Sequence, residues 1–320
     1  MTPSQILQGI KSDHMNPTKS ASIAHELIGL AKKALVECDS DSNEEYQKIM
    51  YYVHYLHSNE NYGFCNYLAA LVEPLEAQKV ELEKLKKPLS NSDFRKQLDG
   101  LGGSRVRVDH PMTIHLLSDK ANMDEVKFYL LHNWYRARYF YKIIADLAQR
   151  VDLDMAGMFY DNLKEETGGE HGEADAHTKF IEKLVKHMGI PCRYDDTPGM
   201  VEALEYLNHR KRCSRSPNIA WGVGVFYAIE STAGGFATVQ KMLDGKGISK
   251  EFTQFHSLHS TVDCDHERLV MDAAAARFTD THTQEIIFSC VRHHQKLSTK
   301  YFDAIWRDMR QASEKLRQAA

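Results

Sequence analysis

Apolar positions recur along most of the chain at intervals of three and four residues, and alternating strand patterns are nearly absent, so the pattern predicts an all-α protein. Between Ser20 and Leu85 the periodicity predicts two or three amphipathic helices, the last being NYLAALVEPLEAQKVELEKLKK with a solvated charged end. The stretch PLSNSDFRKQLDGLGGSRVRVDHP concentrates turn formers and predicts a boundary near residue 105, dividing a helical N-terminal extension (1–105) from a main bundle (106–320). In the bundle the spacing predicts helices over 124–149, 154–188 with a glycine-rich interruption, 201–210, 221–243, 250–277 and 283–317.

Three of these helices carry polar groups on faces that their periodicity turns inward. FHSLHSTVDCDHERLV spaces His259, Asp263 and His266 by four and three residues, which on one helix puts all three on one face, with His256 a turn earlier. In NLKEETGGEHGEADAHTKFIEKLVKHMG, Asn162 and Glu166 lie a turn apart, and His177 leads the apolar positions Phe180, Ile181, Leu184, Val185 and Met188. Glu165 competes with Glu166 for the inward role, whereas Glu170, His171 and Glu173 read as solvated. Glu230 sits in WGVGVFYAIESTAGGFATV, an apolar stretch in which a carboxylate is costly unless it is paired or metal-bound. Each group alone reads equally well as a hydrogen-bonded core residue. Together they offer carboxylate oxygens and imidazole nitrogens in a mixture that suits iron or manganese better than structural zinc or calcium.

Composition narrows the classes without changing that picture. The chain has 320 residues, is 42% apolar and carries a net charge of -4, which suits an ordered globular protein and argues against nucleic acid as a partner. Neither a signal-peptide core nor an apolar run long enough for a membrane span is present, so a cytoplasmic location is expected. Six scattered cysteines without a CxxC pair fit reduced thiols. There is no His-Asp dipeptide, which sets aside the phosphohydrolases built on that doublet.

At these residues the chain resembles the heme-oxygenase-like di-iron oxidase and oxygenase superfamily, the iron-containing redox enzymes, over about 109–310. AIESTAGG, the His259-Asp263-His266 spacing, the Asn-Leu-x-Glu-Glu-x-Gly segment with His177 downstream, and DHPMTIHLL all match its pattern. The resemblance implies a heme-oxygenase-like helical bundle. It also implies Glu166, His177, Glu230, His259, Asp263 and His266 as ligands for Fe(II), two irons or one, with manganese as the alternative. The implied reaction is oxidation of a small substrate with O2. The family's first core helix normally adds another glutamate, yet no Glu follows Glu125 in EVKFYLLHNWYRARYFYKIIADLAQR, and Tyr139, Phe140 and Tyr141 occupy the region. His132, a tyrosine hydroxyl such as that of Tyr139, or Asp146 are the stand-ins the sequence offers, and His256 is a further possible ligand. Without one, a single metal or a helical scaffold without turnover is the alternative, and the extension could then serve as a lid, a partner surface or a homodimer contact.

Overall fold

The computed structural model describes the chain apart from residues 13–15, 58, 102–107, 170–175, 233, 261–262 and 320, and apart from the side chains of 234, 263–267 and 313–319. Among the described residues there are helices and connecting segments but no strands. The helices are α1 (Pro3–Lys11), α2 (Pro17–Leu35), α3 (Ser40–Tyr51) continuing into a π-helical turn (Tyr52–Leu56), α4 (Tyr62–Gln78), α5 (Asn91–Leu101), α6 (Pro111–Leu117), α7 (Met123–Ala137) and α8 (Phe140–Ala148). They continue with α9 (Leu153–Thr167), α10 (His177–His187), α11 (Val201–Arg215), α12 (Ile219–Glu230), α13 (Gly234–Gly245), α14 (Gln254–His259), α15 (Asp263–Arg277) and α16 (Thr281–Ala319). None is long and apolar enough to cross a membrane.

Local chemistry sets the helix ends. Asn122 caps α7 in a box closed by Glu125, Asp152 caps α9, and Gly168 ends α9 in the left-handed region at φ 105°. Four of the predicted helices break or end early. The 124–149 helix stops at Ala137 and restarts at Phe140, because Arg138 turns into the protein to reach the carbonyls of Arg193 and Asp196 and the Tyr51 hydroxyl. The 221–243 helix divides after Glu230. The 250–277 helix divides after His259, where Ser260 is the C-cap and bonds the Ser257 carbonyl through its hydroxyl. The predicted helix of the extension ends at Gln78, past the internal Pro74. Beyond it, 79–90 is no solvated helix but a strap along α16, its Glu83, Leu85 and Leu89 N–H groups donating to Ser289, Glu285 and Gln284. The predicted boundary near residue 105 lies outside the described residues.

Three apolar clusters hold the helices together. One joins α1 to α4 through Ile6, Leu27, Ile49 and Leu68. A second joins α7, α10, α11 and α16 through Leu130, Trp134, Leu184, Leu204 and Ile305, and a third joins α8, α9, α12 and α16 through Leu147, Phe159, Phe226 and Ile287. The polar site lies where the second and third clusters meet. Close approach of α12 to α16 depends on Gly224, where an added Cβ would stand 2.9 Å from Cys290 Cβ and 3.1 Å from the Ile287 carbonyl. Gly224→Ala is expected to destabilise the protein by about 1–3 kcal/mol through overpacking, read by denaturant unfolding; unchanged stability would show that the two helices can part freely.

Candidate metal centre

Glu166 lies one residue before the end of α9 and faces inward with Phe159 and Asn162, while its neighbour Glu165 is exposed. Gly168 then ends the helix, and the chain returns at His177, the first residue of α10. This reversal brings His177 Nδ1 to 3.0 Å from Glu166 Oε1. His259, the last residue of α14, approaches the same oxygen from the other side, with Nε2 at 3.4 Å. The two imidazole rings stand edge to face at 4.8 Å, and ligand atoms of all three buried residues lie within 4.8 Å of one another.

The tautomer of His259 is fixed by its surroundings. Its Nδ1 lies 2.7 Å from the Phe255 carbonyl, an acceptor, so Nδ1 carries the proton. A neutral His259 therefore turns the Nε2 lone pair toward a carboxylate oxygen, and two acceptors face each other unless a proton or a cation lies between them. Burial by itself would raise the Glu166 carboxyl, but hydrogen bonds and charge interactions with His177 and His259 hold it down at about 2. One carboxylate and two imidazoles, one of them oriented by a backbone carbonyl, form a donor set that fits non-heme Fe(II). The C-terminal ends of α9 and α12 add partial negative charge that favours a cation.

Glu230, the last residue of α12, is buried and lines a cavity of about 40 Å³ together with Glu166 and His259. Phe140, Phe236 and Phe255 supply apolar wall. Asp263 opens α15 and His266 lies within it, but their side chains are outside the described residues, as are Glu170, His171 and Glu173.

The stand-ins for the first-helix glutamate are engaged elsewhere. His132 Nδ1 lies 2.9 Å from the Tyr301 hydroxyl, and burial holds its imidazole down at about 3. The Tyr139 hydroxyl donates to the Tyr194 carbonyl while its ring stacks on Tyr55. Asp146 accepts from Lys211 at 2.5 Å and Ser214 at 2.7 Å. His256 Nε2 accepts from Asn133 Nδ2 at 2.7 Å, and burial likewise holds it down at about 3. What α7 and α11 present to the cavity instead is Asn133, Arg136 and Arg210, which the sequence reading missed.

A second buried cluster comprises His209, Cys213 and Cys290. Cys213 Sγ stands 3.8 Å from Cys290 Sγ and 3.7 Å from both ring nitrogens of His209, with Arg212 Nη2 at 3.3 Å. Equal distances to both nitrogens leave neither lone pair aimed at a shared point, so this is a buried thiol pair beside a guanidinium. The five described cysteines are all free.

A family model described as iron-containing redox enzyme matches residues 127–298, more than half of the chain. Among solved structures, a domain of unknown function with a heme oxygenase-like fold from Shewanella denitrificans OS217 superposes with a TM-score of 0.56 at 12% identity, covering 69% of this chain and 94% of that one. A CADD-like protein of unknown function from Nostoc punctiforme PCC 73102 superposes with a TM-score of 0.56 at 15% identity, covering 68% of this chain and 98% of that one. Identities this low speak for the fold alone, which is the heme-oxygenase-like helical one. No curated protein matches the chain.

Proposed function

Because the chain belongs to the family of iron-containing redox enzymes, we propose that it is a non-heme iron oxidase or oxygenase acting on a small organic substrate with O2. The observation that carries this reading is the approach of His259 Nε2, its lone pair fixed by the Phe255 carbonyl, to the Glu166 carboxylate that His177 also meets. Glu166, His177 and His259 would hold one iron, and Glu230 with Asp263 and His266 would hold a second. The second set lacks the first-helix glutamate that the family normally adds, so its iron is expected to bind more weakly.

Bound iron supplies the electron transfer to O2 that no side chain provides. The protein's own residues set the conditions for it. The Phe255 carbonyl keeps His259 in the ligating tautomer, and the Glu166 carboxylate would balance positive charge. Phe140, Phe236 and Phe255 give the cavity apolar wall beside the acidic and imidazole groups.

Anaerobic Fe(II) titration followed by mixing with O2 tests the reading. Two equivalents bound with unequal affinity and a transient visible absorption band are the expected result. One iron with the transient would reduce the centre to a mononuclear enzyme, and no iron with no transient would leave a helical scaffold.

A further inference from the structure

We propose that Arg136 and Arg210 form a carboxylate-binding site inside the cavity, so that the substrate is a small organic carboxylate seated beside the Glu166 cluster. As a statement about substrate class this rests on the iron reading above; as a statement about the two arginines it stands on their own geometry.

Arg136, from α7, and Arg210, from α11, both line the cavity that holds Glu166, Glu230 and His259, and they are only 7% and 3% exposed. Arg210 Nη1 donates to the Arg136 backbone carbonyl at 2.8 Å, which ties the Arg210 side chain to α7. Arg136 Nη2 donates to Asn133 Oδ1, and Asn133 in turn donates to His256. This chain of bonds fixes one arm of the guanidinium and leaves the rest unused: Arg136 Nε and Nη1 and Arg210 Nε are buried without a hydrogen-bond partner among the described residues. Neither arginine has an ion pair among those residues, even though two carboxylates share the cavity.

A buried guanidinium with idle N–H groups is costly, and two in one cavity call for an anion. Glu166 does not fill the role, because its Oε1 meets His177 and His259, and no ion pair joins Glu166 or Glu230 to either arginine among the described residues. Iron there would add positive charge and strengthen the demand for a negative ligand group. The arginine fork matches a planar two-oxygen acceptor bidentately. The same fork also accepts phosphate oxygens, and the titration below separates the two anions. Aromatic rings lie near both guanidinium groups, Phe302 by Arg136 and Phe140 and Tyr206 by Arg210, and hold the two cations in place.

The test is calorimetric titration of the full-length chain, first metal-free and then with Fe(II) bound anaerobically, using acetate, its neutral isostere acetamide, and inorganic phosphate. Acetate is expected to bind the metal-free chain with a stoichiometry of one while acetamide does not. Its affinity is expected to fall about tenfold or more in Arg136→Met and in Arg210→Met, with a smaller loss in Arg136→Lys, which keeps the charge without the fork. Circular dichroism and unchanged iron content of the variants exclude misfolding as the cause. Equal binding of acetate and acetamide, tighter binding of phosphate, wild-type acetate affinity in both methionine variants, or acetate binding that requires iron would each overturn the proposal. Acetate binding without iron uptake would sink the oxidase reading alone, and iron uptake without metal-free acetate binding would sink this one alone.

Discussion

Glu166→Ala is expected to reduce bound iron to background, with Kd for Fe(II) weakened more than about a hundredfold, beyond the 10–100-fold that loss of an outer hydrogen-bond partner of a metal ligand costs. Glu166 provides the oxygen on which both imidazoles converge, at 3.0 Å and 3.4 Å, and among the described residues it is the one carboxylate in the cluster. The exposed Glu165 supplies the control, since Glu165→Ala leaves iron content untouched. In the metal-free protein, Glu166→Ala also strands two buried imidazoles and should cost about 1–3 kcal/mol. The thermal protection that iron gives the wild type, about 2.7 kcal/mol at a hundredfold excess over Kd, should vanish with it. Elemental analysis beside melting curves reads both effects. Wild-type iron content in Glu166→Ala and in His259→Ala would refute the ligand assignment.

The second large effect is expected at Arg138, which is fully buried. Its guanidinium donates to the Arg193 and Asp196 carbonyls and to the Tyr51 hydroxyl, and its Cζ lies 4.5 Å from the Trp134 ring, 4.7 Å from Tyr135 and 4.9 Å from Tyr139. It thus joins the break between α7 and α8 to the segment after α10 and to α3 of the extension. Arg138→Met fills much of the volume but leaves these acceptors unpaired. Loss of about 3 kcal/mol or more follows, a fall of roughly 6 °C in Tm for a chain of this size. Arg138→Lys should recover little, because an ammonium cannot span two carbonyls and stack on flat rings. A melting point within about 1 °C of wild type would show that the aromatic cage holds without the cation.

The all-helical class and the separate helix pairs were legible because 3.6-residue periodicity and glycine punctuation are local signals. Glu166 rather than Glu165 was legible in the same way, since a one-residue step turns a helix face by 100°. His177 and His259 were readable as inward histidines. Two of the helix breaks were not readable, because they depend on distant partners: the end of α7 on carbonyls beyond α10, and the strap after α4 on side-chain acceptors of α16. The break after His259 also removes the premise that His259, Asp263 and His266 share one helical face, although their spacing in sequence was what drew attention to them. Arg136 and Arg210 were missed for a related reason. A run such as His209-Arg210-Lys211-Arg212 reads as a solvated face, yet all four are buried in α11, where carbonyls, Asp146 and aromatic rings receive them.

Four of the groups placed at the centre stand at or beside a helix terminus: Glu166 near the end of α9, His177 at the start of α10, Glu230 closing α12 and His259 closing α14. Termini are where helices fray, each opening independently and at low cost in free energy. An ion held jointly by such residues rivets separate ends into one cooperative unit, so that unzipping any of them requires releasing the ion. Amide protons in the flanking turns should then exchange with solvent at unrelated rates in the empty protein and at a common, slower rate in the loaded one. Chelation would thereby turn the weakest joints of the bundle into a single latch.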